Sequence, residues 1–354
     1  MKVLQLVTER RPFFDAQVEA LERAGVESTV CEVPGSHSAA EPRTAAEYAR
    51  FSPKVLSALG DHDLIHAHYG LTAPFALALP RRPVVLTLWG TDLMGESEWI
   101  RRMSRFAAGL ADATILPSRR MVETLDRPYT HVPFGIDTDR FRPIPRESAR
   151  ERVGWETEGD DGEDAKIVLF PYDTDRPEKD FPRAERVVER ADADAEIRAI
   201  TGVSHDEMPH YMNASDALLV TSTRESGPMV VKEAAACGLP VVSTDVGFVS
   251  DVPGASVCDS DEELAAELDR ALAASDSAAA DAESDRTAPE LPRKWELDAT
   301  GRRLRGVYER VLSERGATGD NLYIANQNVS IFNTNLNMSE SETNTSEPDS
   351  GGIT

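Results

Sequence analysis

Short apolar runs alternate with amphipathic helical patterns along most of the chain, in two successive series. The first series has six runs, at Lys2–Val7, Ser28–Val33, Asp63–Ala67, Pro83–Leu88, Ala113–Leu116 and His131–Pro133. The second series has four, at Lys166–Phe170, Ala195–Ile200, Ala217–Thr221 and Pro240–Ser243. Such alternation predicts βαβ units and parallel sheets. We therefore expect an α/β protein with two doubly wound domains facing a ligand-binding cleft.

A Pro-rich segment at 141–145 separates the two series and predicts the exit from the first domain. We divide the chain into a first domain at 1–142, a second at 143–315 and a tail at 316–354. The tail is rich in Asn, Ser, Thr and Gly with few apolar residues, a composition typical of disorder. The last helix, predicted at Leu297–Leu312, has room to pack back on the first domain.

Composition narrows the class of protein. Of the 354 residues, 40% are apolar, which is enough for two cores. No run approaches the roughly 18 apolar residues of a membrane span, and the apolar start at Met1–Val7 is too short for a signal peptide. The scattered Cys31, Cys237 and Cys258 indicate neither a disulfide framework nor a zinc site. We expect a cytoplasmic protein.

The formal net charge is −24, and only six of the 38 basic residues are lysines. So acidic a surface repels phosphate backbones, and no nucleic acid partner is expected. It also keeps a protein hydrated in concentrated salt, and therefore predicts a halophilic, archaeal host. Residues 1–142 hold 17 basic and 18 acidic side chains. Almost all the excess negative charge thus belongs to the rest of the chain, including a predicted acidic loop at 156–164.

The segment Thr221–Gly247 has the pattern of a strand, a turn, a helix and a second strand. Gly227 lies at the cap of the helix, Pro228 takes its first position, where proline is favoured, and Gly238 ends it. Free N–H groups and the positive dipole end at this N-terminus suit a diphosphate. Because the helix follows the end of a strand, we expect this site to face the cleft.

Two glutamates flank the start of that helix. Glu225 precedes it in the loop, and Glu233 lies in the second helical turn, where a carboxylate could accept two ribose hydroxyls. Two glutamates at this separation are by themselves more typical of a solvated helix face than of a site. The surrounding sequence decides between these two interpretations.

The whole segment resembles the E-x7-E region of family 4 glycosyltransferases, including the trailing A-C-G-x-P-V-V-x-T-D-x-G motif at Ala236–Gly247. The resemblance implies the GT-B fold, with two Rossmann-like domains, and retaining transfer of a hexose-type sugar from a nucleotide-sugar donor to a glycan or lipid-linked acceptor. It places Glu225 beside the transferred sugar and Glu233 on the donor ribose. The other donor-binding residues that it implies are Ser226, Gly227, Pro228, Met229 and Val230.

A loop after the predicted strand Lys166–Phe170 is similar to the family's G-R-x4-K loop. Lys179 matches its lysine, whereas Thr174 stands at the usual arginine position and Arg176 is the nearest substitute. The resemblance implies that Lys179 and Arg176 bind the donor phosphates and stabilise charge on the leaving diphosphate. It also implies that neither a metal nor another cofactor is needed, because the helix dipole and basic side chains neutralise the diphosphate.

The first domain shows shorter similarities to the same family. His66 and His68 resemble its H-x-H strand end, and Thr87–Asp92 resembles T-x-H-G-T-D, with Trp89 where many members have histidine. We assign catalytic roles to His68 and Asp92, beside Glu225. The histidine pair has no evident third ligand, so no metal site is expected.

The segment Trp99–Leu110 predicts an amphipathic helix, with apolar residues in one stripe and three arginines beside it. One interpretation places this stripe on an anionic membrane surface, at the inner face of the cell membrane and near a lipid-linked acceptor. The other packs it on the sheet of its own domain.

Two further functions stay open at this stage. A non-catalytic GT-B partner subunit would explain Trp89, Thr174 and the missing Gly-Gly after the first strand. A nucleotide-sugar epimerase would share the fold. A dinucleotide-dependent dehydrogenase is disfavoured, because neither half has a G-x-G-x-x-G motif after its first strand.

Overall fold

The computed structural model describes residues 1–35, 43–79, 83–155, 166–280 and 288–318, with 276–280 and 316–318 described as backbone only. The predicted acidic loop 156–164 and residues 319–354 of the predicted tail lie outside these ranges. The described part contains two parallel sheets with helices between their strands, which confirms the predicted α/β architecture.

The first sheet contains six strands: β1 (Lys2–Val7), β2 (Glu27–Glu32), β3 (Leu64–His68), β4 (Val84–Thr87), β5 (Ala113–Leu116) and β6 (Thr130–His131). Their order across the sheet is β2-β1-β3-β4-β5-β6, with parallel pairing throughout the described strands. Helices cover both faces of such a sheet, so its central strands are buried along their length rather than at alternate residues. In β1, for example, Val3 to Val7 are all buried.

The second sheet contains five described strands: β7 (Lys166–Phe170), β8 (Ala195–Ala199), β9 (Ala217–Val220), β10 (Val241–Thr244) and β11 (Ala255–Cys258). Their order is β11-β10-β9-β7-β8. The sequence predicted four of the five and missed β11. This strand lies at the edge of the sheet and is only partly buried, so it lacks the apolar run by which a central strand is recognised.

The helices are α1 (Pro12–Arg23), α2 (Ala45–Ala58), α3 (Ala73–Leu77), α4 (Thr91–Met94), α5 (Glu98–Ala108), α6 (Arg146–Val153), α7 (Phe181–Arg190), α8 (Met208–Ala214), α9 (Met229–Ala236), α10 (Asp261–Ala280) and α11 (Leu297–Thr318). Short 3-10 turns lie at Arg119–Thr124, Pro177–Lys179, Val249–Asp251 and Arg293–Trp295. Within the described ranges, every helix is too short or too polar to cross a membrane.

The C-terminal helix α11 returns to the first domain. Its buried face, which includes Leu304 and Tyr308, packs in one cluster with Val3 and Leu21 of that domain. The chain that leads into α11 runs beside the chain that leaves the first sheet. There Ile136 N–H donates to the carbonyl of Trp295 at 2.8 Å. α11 runs to Thr318, past residue 316, where the sequence places the start of the tail.

Candidate functional site

Two loops of the second domain meet at a buried ion pair. Lys179 ends the turn that follows β7, and its Nζ donates to a carboxylate oxygen of Glu225, in the loop after β9. The side chain of Lys179 is 4% exposed and that of Glu225 17%. Thr221 holds the loops together, since its hydroxyl donates to the carbonyl of Lys179 at 2.9 Å. The structure thus joins a lysine and a glutamate that the sequence placed in separate motifs.

The surroundings of Lys179 shift the pKa of its ammonium. Burial lowers the pKa of its ammonium, while the negative charge of Glu225 opposes that shift. The ammonium also lies 3.8 Å from the ring centre of Tyr172, an arrangement that favours a cation. A desolvated cation of this kind interacts strongly with an anion, because water screens it little.

Helix α9 begins directly after these loops. Pro228 has an extended ψ of 109° and is its cap, so the helix starts at Met229, one residue later than predicted. Gly227 must lack a side chain, since a Cβ there would lie 2.2 Å from the ring of Phe248. The entry to the helix is one continuous segment, formed by Ser226, Gly227, Pro228, Met229 and Val230. The free N–H groups in the first turn of α9 are thus directed toward the loop of Glu225.

Glu233 lies on the second turn of α9 and is part of a polar chain that the sequence did not reveal. Its carboxylate lies 3.0 Å from Nε2 of His205, and Nδ1 of the same imidazole lies 3.0 Å from the Arg140 guanidinium. Because arginine can only donate, Nδ1 accepts and Nε2 carries the proton that is donated to Glu233. His205 follows the end of β8, and its position after a strand end was the one signal that could have identified it.

Arg176 does not join this group. Its guanidinium Nε donates to Glu178 at 2.9 Å, and its side chain is 48% exposed. The reason is local, because Glu178 lies two residues away on the same turn. Of the two basic residues assigned to the donor phosphates, the structure brings only Lys179 to Glu225.

The loop of Glu225 touches the first domain. The Ser226 hydroxyl donates to the carbonyl of Trp89 at 3.0 Å. At the next residue, Gly90, a Cβ would lie 2.2 Å from Ser226. Arg120 and Asp245 form a second contact between the domains, an ion pair. The two motifs on either side of the cleft are therefore in direct contact.

Asp92 is fully buried and shapes the loop at the end of β4. Its carboxylate accepts N–H donors from Trp89 at 3.0 Å, Gly90 at 2.7 Å and Gly70 at 3.1 Å. Burial raises the pKa of Asp92 to about 6, against the opposing effect of these backbone donors. The carboxylate thus positions Trp89 and Gly90, and its burial does not support the catalytic contact that the sequence predicted.

His68 lies in the core of the first domain rather than at its surface. It is 0% exposed, its Nε2 lies 2.8 Å from Oε1 of Gln5, and its ring packs edge-on against Phe14. Burial lowers its pKa well below the usual range, so the ring is neutral. This placement does not support contact with a substrate. A strand end predicts which residues lie near the cleft, but not which face of the sheet each one takes.

The amphipathic helix predicted at Trp99–Leu110 corresponds to α5 and the residues after it. Trp99, Phe106 and Leu110 are 66%, 68% and 55% exposed. The face that packs on the domain is formed instead by Ser104, Ala107 and Ala108. Most of the apolar stripe therefore points away from the sheet of its own domain.

Within the described residues, no group of three or more His, Cys, Asp or Glu side chains is arranged to hold a metal ion. The polar side chains of the site have other partners: Lys179 is bound to Glu225, and Glu233 to His205. What the arrangement offers is a buried cation, the N-terminus of a helix and two carboxylates. Together these can bind an anionic, hydroxyl-rich ligand.

Comparison with known proteins finds a family match for each of the two domains. The family profile described as glycosyl transferases group 1 matches residues 177–286, and the profile described as glycosyl transferase 4-like domain matches residues 3–145. The D-inositol 3-phosphate glycosyltransferase of Frankia alni is 26% identical over 258 residues, covering 56% of this chain and 62% of that protein. The chain thus spans about three fifths of the length of the curated relatives it matches.

Solved structures give the same fold. Sucrose-phosphate synthase from Thermosynechococcus elongatus superposes with a TM-score of 0.61 at 17% identity, covering 90% of this chain and 98% of that one. HepE from Anabaena, in complex with UDP and glucose, superposes with a TM-score of 0.59 at 15% identity, covering 91% and 100%. With two domain profiles that match in order and this two-domain architecture, the chain belongs to the group 1 glycosyltransferases of the GT-B fold.

Proposed function

We propose that the protein is a retaining glycosyltransferase that moves a hexose from a nucleotide-diphospho-sugar to a glycan or lipid-linked acceptor in the synthesis of cell-surface glycans, glycolipids or glycoproteins. Family membership supports the reaction class, and the complex of the similar HepE with UDP and glucose supports a nucleotide-sugar donor. The observation that carries the proposal is the buried Lys179–Glu225 pair beside the N-terminus of α9, in contact with the first domain through Ser226.

Each group has a chemical role in this proposal. Lys179 and the N-terminal N–H groups of α9 neutralise the diphosphate, which gains negative charge as it leaves. The Glu233 carboxylate accepts hydrogen bonds from the hydroxyls of the donor ribose, and Glu225 lies beside the sugar that is transferred. The bond between the anomeric carbon and the phosphate oxygen breaks, and the acceptor oxygen bonds to the same face of that carbon. The acceptor proton passes to the departing phosphate oxygen, so no protein nucleophile is required.

Donor binding and slow donor hydrolysis in molar KCl test this proposal. UDP-, GDP-, ADP- and dTDP-sugars are titrated calorimetrically into the wild type, Lys179→Ala and Glu233→Ala, with the exposed Lys2→Ala as the matched control. We expect one donor to bind and to be hydrolysed. Each site variant should weaken its binding by about 1–3 kcal/mol, as the loss of a charged hydrogen bond does, while Lys2→Ala should not.

The alternative of a non-catalytic partner subunit gives a different result in the same experiment. It binds a donor but does not turn it over, even with a crude lipid acceptor present. An epimerase instead converts the sugar and leaves it on the nucleotide, which chromatography of the recovered nucleotide-sugar detects. Failure of all donors to bind contradicts the assignment of the cleft.

We also propose that the protein acts in the cytoplasm of a halophile and binds the inner membrane surface through α5. The exposed Trp99, Phe106 and Leu110 would enter the interface, beside the arginines of the same helix. The first domain is close to neutral, so it is not repelled from anionic lipid as the acidic second domain is. Flotation with anionic vesicles should carry the wild type upward and leave Phe106→Glu in solution. Wild type that stays in solution at both high and low salt contradicts the membrane contact.

A further inference from the structure

A large cavity lies in the first domain, next to the site but apart from its charged groups. Its volume is about 850 Å³, within the range of pockets that enclose an organic ligand. Five segments of the chain line it, from the end of β1 to α5. Its walls are mostly aromatic or apolar, and include Phe13, Tyr48, Phe75, Trp89, Trp99 and Met103.

Two pairs of polar groups in the lining satisfy each other, whereas Nε of Arg43 and the indole N–H of Trp89 have no hydrogen-bond partner among the described residues. Arg11 forms an ion pair with Glu9 at 2.7 Å, and the Thr91 hydroxyl donates to the Tyr69 hydroxyl at 3.2 Å. A sugar needs several free donors and acceptors to replace its bonds to water, since unpaired hydroxyls are costly to bury. Two free donors are few for a sugar, and most of the lining residues are aromatic or apolar, so the lining favours a hydrocarbon over a carbohydrate.

The cavity adjoins the donor side at Trp89. Trp89 forms part of its wall, and the carbonyl of Trp89 accepts the hydrogen bond from Ser226, next to Glu225. A ligand in the cavity would thus have one end close to the sugar of a bound donor. That is the position of an acceptor.

The opposite side of the cavity reaches the exposed stripe of α5. Trp99, Ile100 and Met103 line the cavity, and Trp99 also belongs to the exposed apolar stripe with Phe106 and Leu110. The apolar surface of the helix therefore continues into the cavity, and no charged residue interrupts the stripe. A chain held inside could leave along the stripe toward a membrane.

We propose that this cavity binds the hydrocarbon chain of a lipid-linked acceptor, and so selects amphiphilic acceptors over free glycans. The inference rests on the proposed function, because it assigns the cavity to the acceptor of that reaction. Trp89 separates the chain from the donor, and the acceptor's hydroxyl head lies on the donor side of the indole.

Binding of alkyl phosphates tests this inference without any donor. Butyl, hexyl, octyl and decyl phosphate are titrated by calorimetry below their micelle-forming concentrations. Affinity should rise about threefold or more for each added methylene, as burial of hydrocarbon requires. Chains with a terminal bromine should quench tryptophan fluorescence on contact, because Trp89 and Trp99 line the cavity and the other two tryptophans do not.

Matched variants distinguish binding in the cavity from non-specific hydrophobic binding elsewhere on the surface. Met103→Glu places a carboxylate in the cavity and should weaken decyl phosphate binding at least tenfold. Leu56→Glu makes the same change at a residue that is 59% exposed and does not line the cavity, and should leave binding unchanged. Circular dichroism confirms that both variants fold.

Three results would overturn the inference: affinity that does not depend on chain length, equal loss in both variants, or tighter binding of maltotriose than of decyl phosphate. These results are distinct from failure of the proposed function. If donors are hydrolysed but alkyl chains do not bind, only the assignment of the cavity to the acceptor chain is wrong. If alkyl chains bind but no donor does, the cavity remains a lipid site and the transferase assignment falls.

Discussion

The ammonium of Lys179 and the carboxylate of Glu225 form an ion pair although they come from loops 46 residues apart. The pair is almost closed to solvent, at 4% and 17% side-chain exposure. Removal of one partner leaves the other charge buried without compensation, which is more costly than removal of both. The two residues should therefore behave as one unit in stability and in donor binding.

We expect Lys179→Ala and Glu225→Gln to be strongly non-additive. Each single variant should lower the free energy of unfolding, and the double variant should lose less than the sum, with a coupling of about 0.5–3 kcal/mol. For turnover, Lys179→Ala should reduce kcat/KM by about 10²–10³, the usual effect of losing one stabiliser of developing charge. Denaturant titration of the four proteins gives the coupling; strict additivity would show that the pair is not formed in solution.

His205 should act on donor affinity through Glu233. His205→Ala removes the proton donor at 3.0 Å from that carboxylate and frees Arg140 from the imidazole. We expect the KM for the donor to rise about tenfold, the loss of one hydrogen bond to a charged group, with kcat nearly unchanged. His62→Ala in the first domain is the control, and a fall in kcat with unchanged KM would contradict this positioning role.

Gly227, which precedes α9, should be replaceable only when Phe248 is exchanged for a smaller residue. Gly227→Ala places a Cβ 2.2 Å from the Phe248 ring, so we expect loss of donor binding and a lower melting temperature. The additional change Phe248→Ala should restore part of both. Differential scanning fluorimetry and calorimetry measure the two effects. If Phe248→Ala gives no rescue, the requirement for glycine has another cause.

Lys232 should make stability depend on pH. Its Nζ is buried, donates to the carbonyl of Phe134 at 2.9 Å and lies over the rings of Phe248 and Trp295. Burial lowers its pKa to about 7. Between that value and the usual lysine pKa of about 10.4, the unfolded chain binds a proton that the native state does not, so the free energy of unfolding rises with pH.

Lys232→Met should remove this rise. The test compares denaturant midpoints of the wild type, Lys232→Met and the exposed Lys2→Met from about pH 7 to about pH 10. The difference between the wild type and Lys232→Met should change across that window, and Lys2→Met should follow the wild type. Parallel curves for all three would show that Lys232 keeps an ordinary pKa.

Much of the donor side was predictable because its signals are local. The sequence located β7 and β9 from their apolar runs, and the start of α9 to within one residue from Gly227 and Pro228. The limit was the exact cap, since Pro228 takes an extended ψ that the sequence pattern did not distinguish from a first helical turn.

The acceptor side was less predictable, because strand ends do not reveal side-chain direction. His68 and Asp92 were assigned to catalysis from their resemblance to family motifs at the ends of β3 and β4, yet both are fully buried. Arg176 was assigned to the donor as the nearest substitute for the arginine of the family's G-R-x4-K loop, but Glu178 on the same turn holds its guanidinium. His205 carried no motif and was missed.

By itself, the sequence determined the two series of βα units, the charge distribution and the residues at the start of α9, and its resemblance to the family 4 glycosyltransferases indicated the class of protein. Periodicity, capping and glycine positions act over a few neighbouring residues, so they can be recognised along the chain. Only the tertiary structure decided that Lys179 meets Glu225, that His205 supports Glu233, and that five separate segments line an aromatic cavity. These contacts depend on strand register and on how distant segments pack, and no local pattern encodes them.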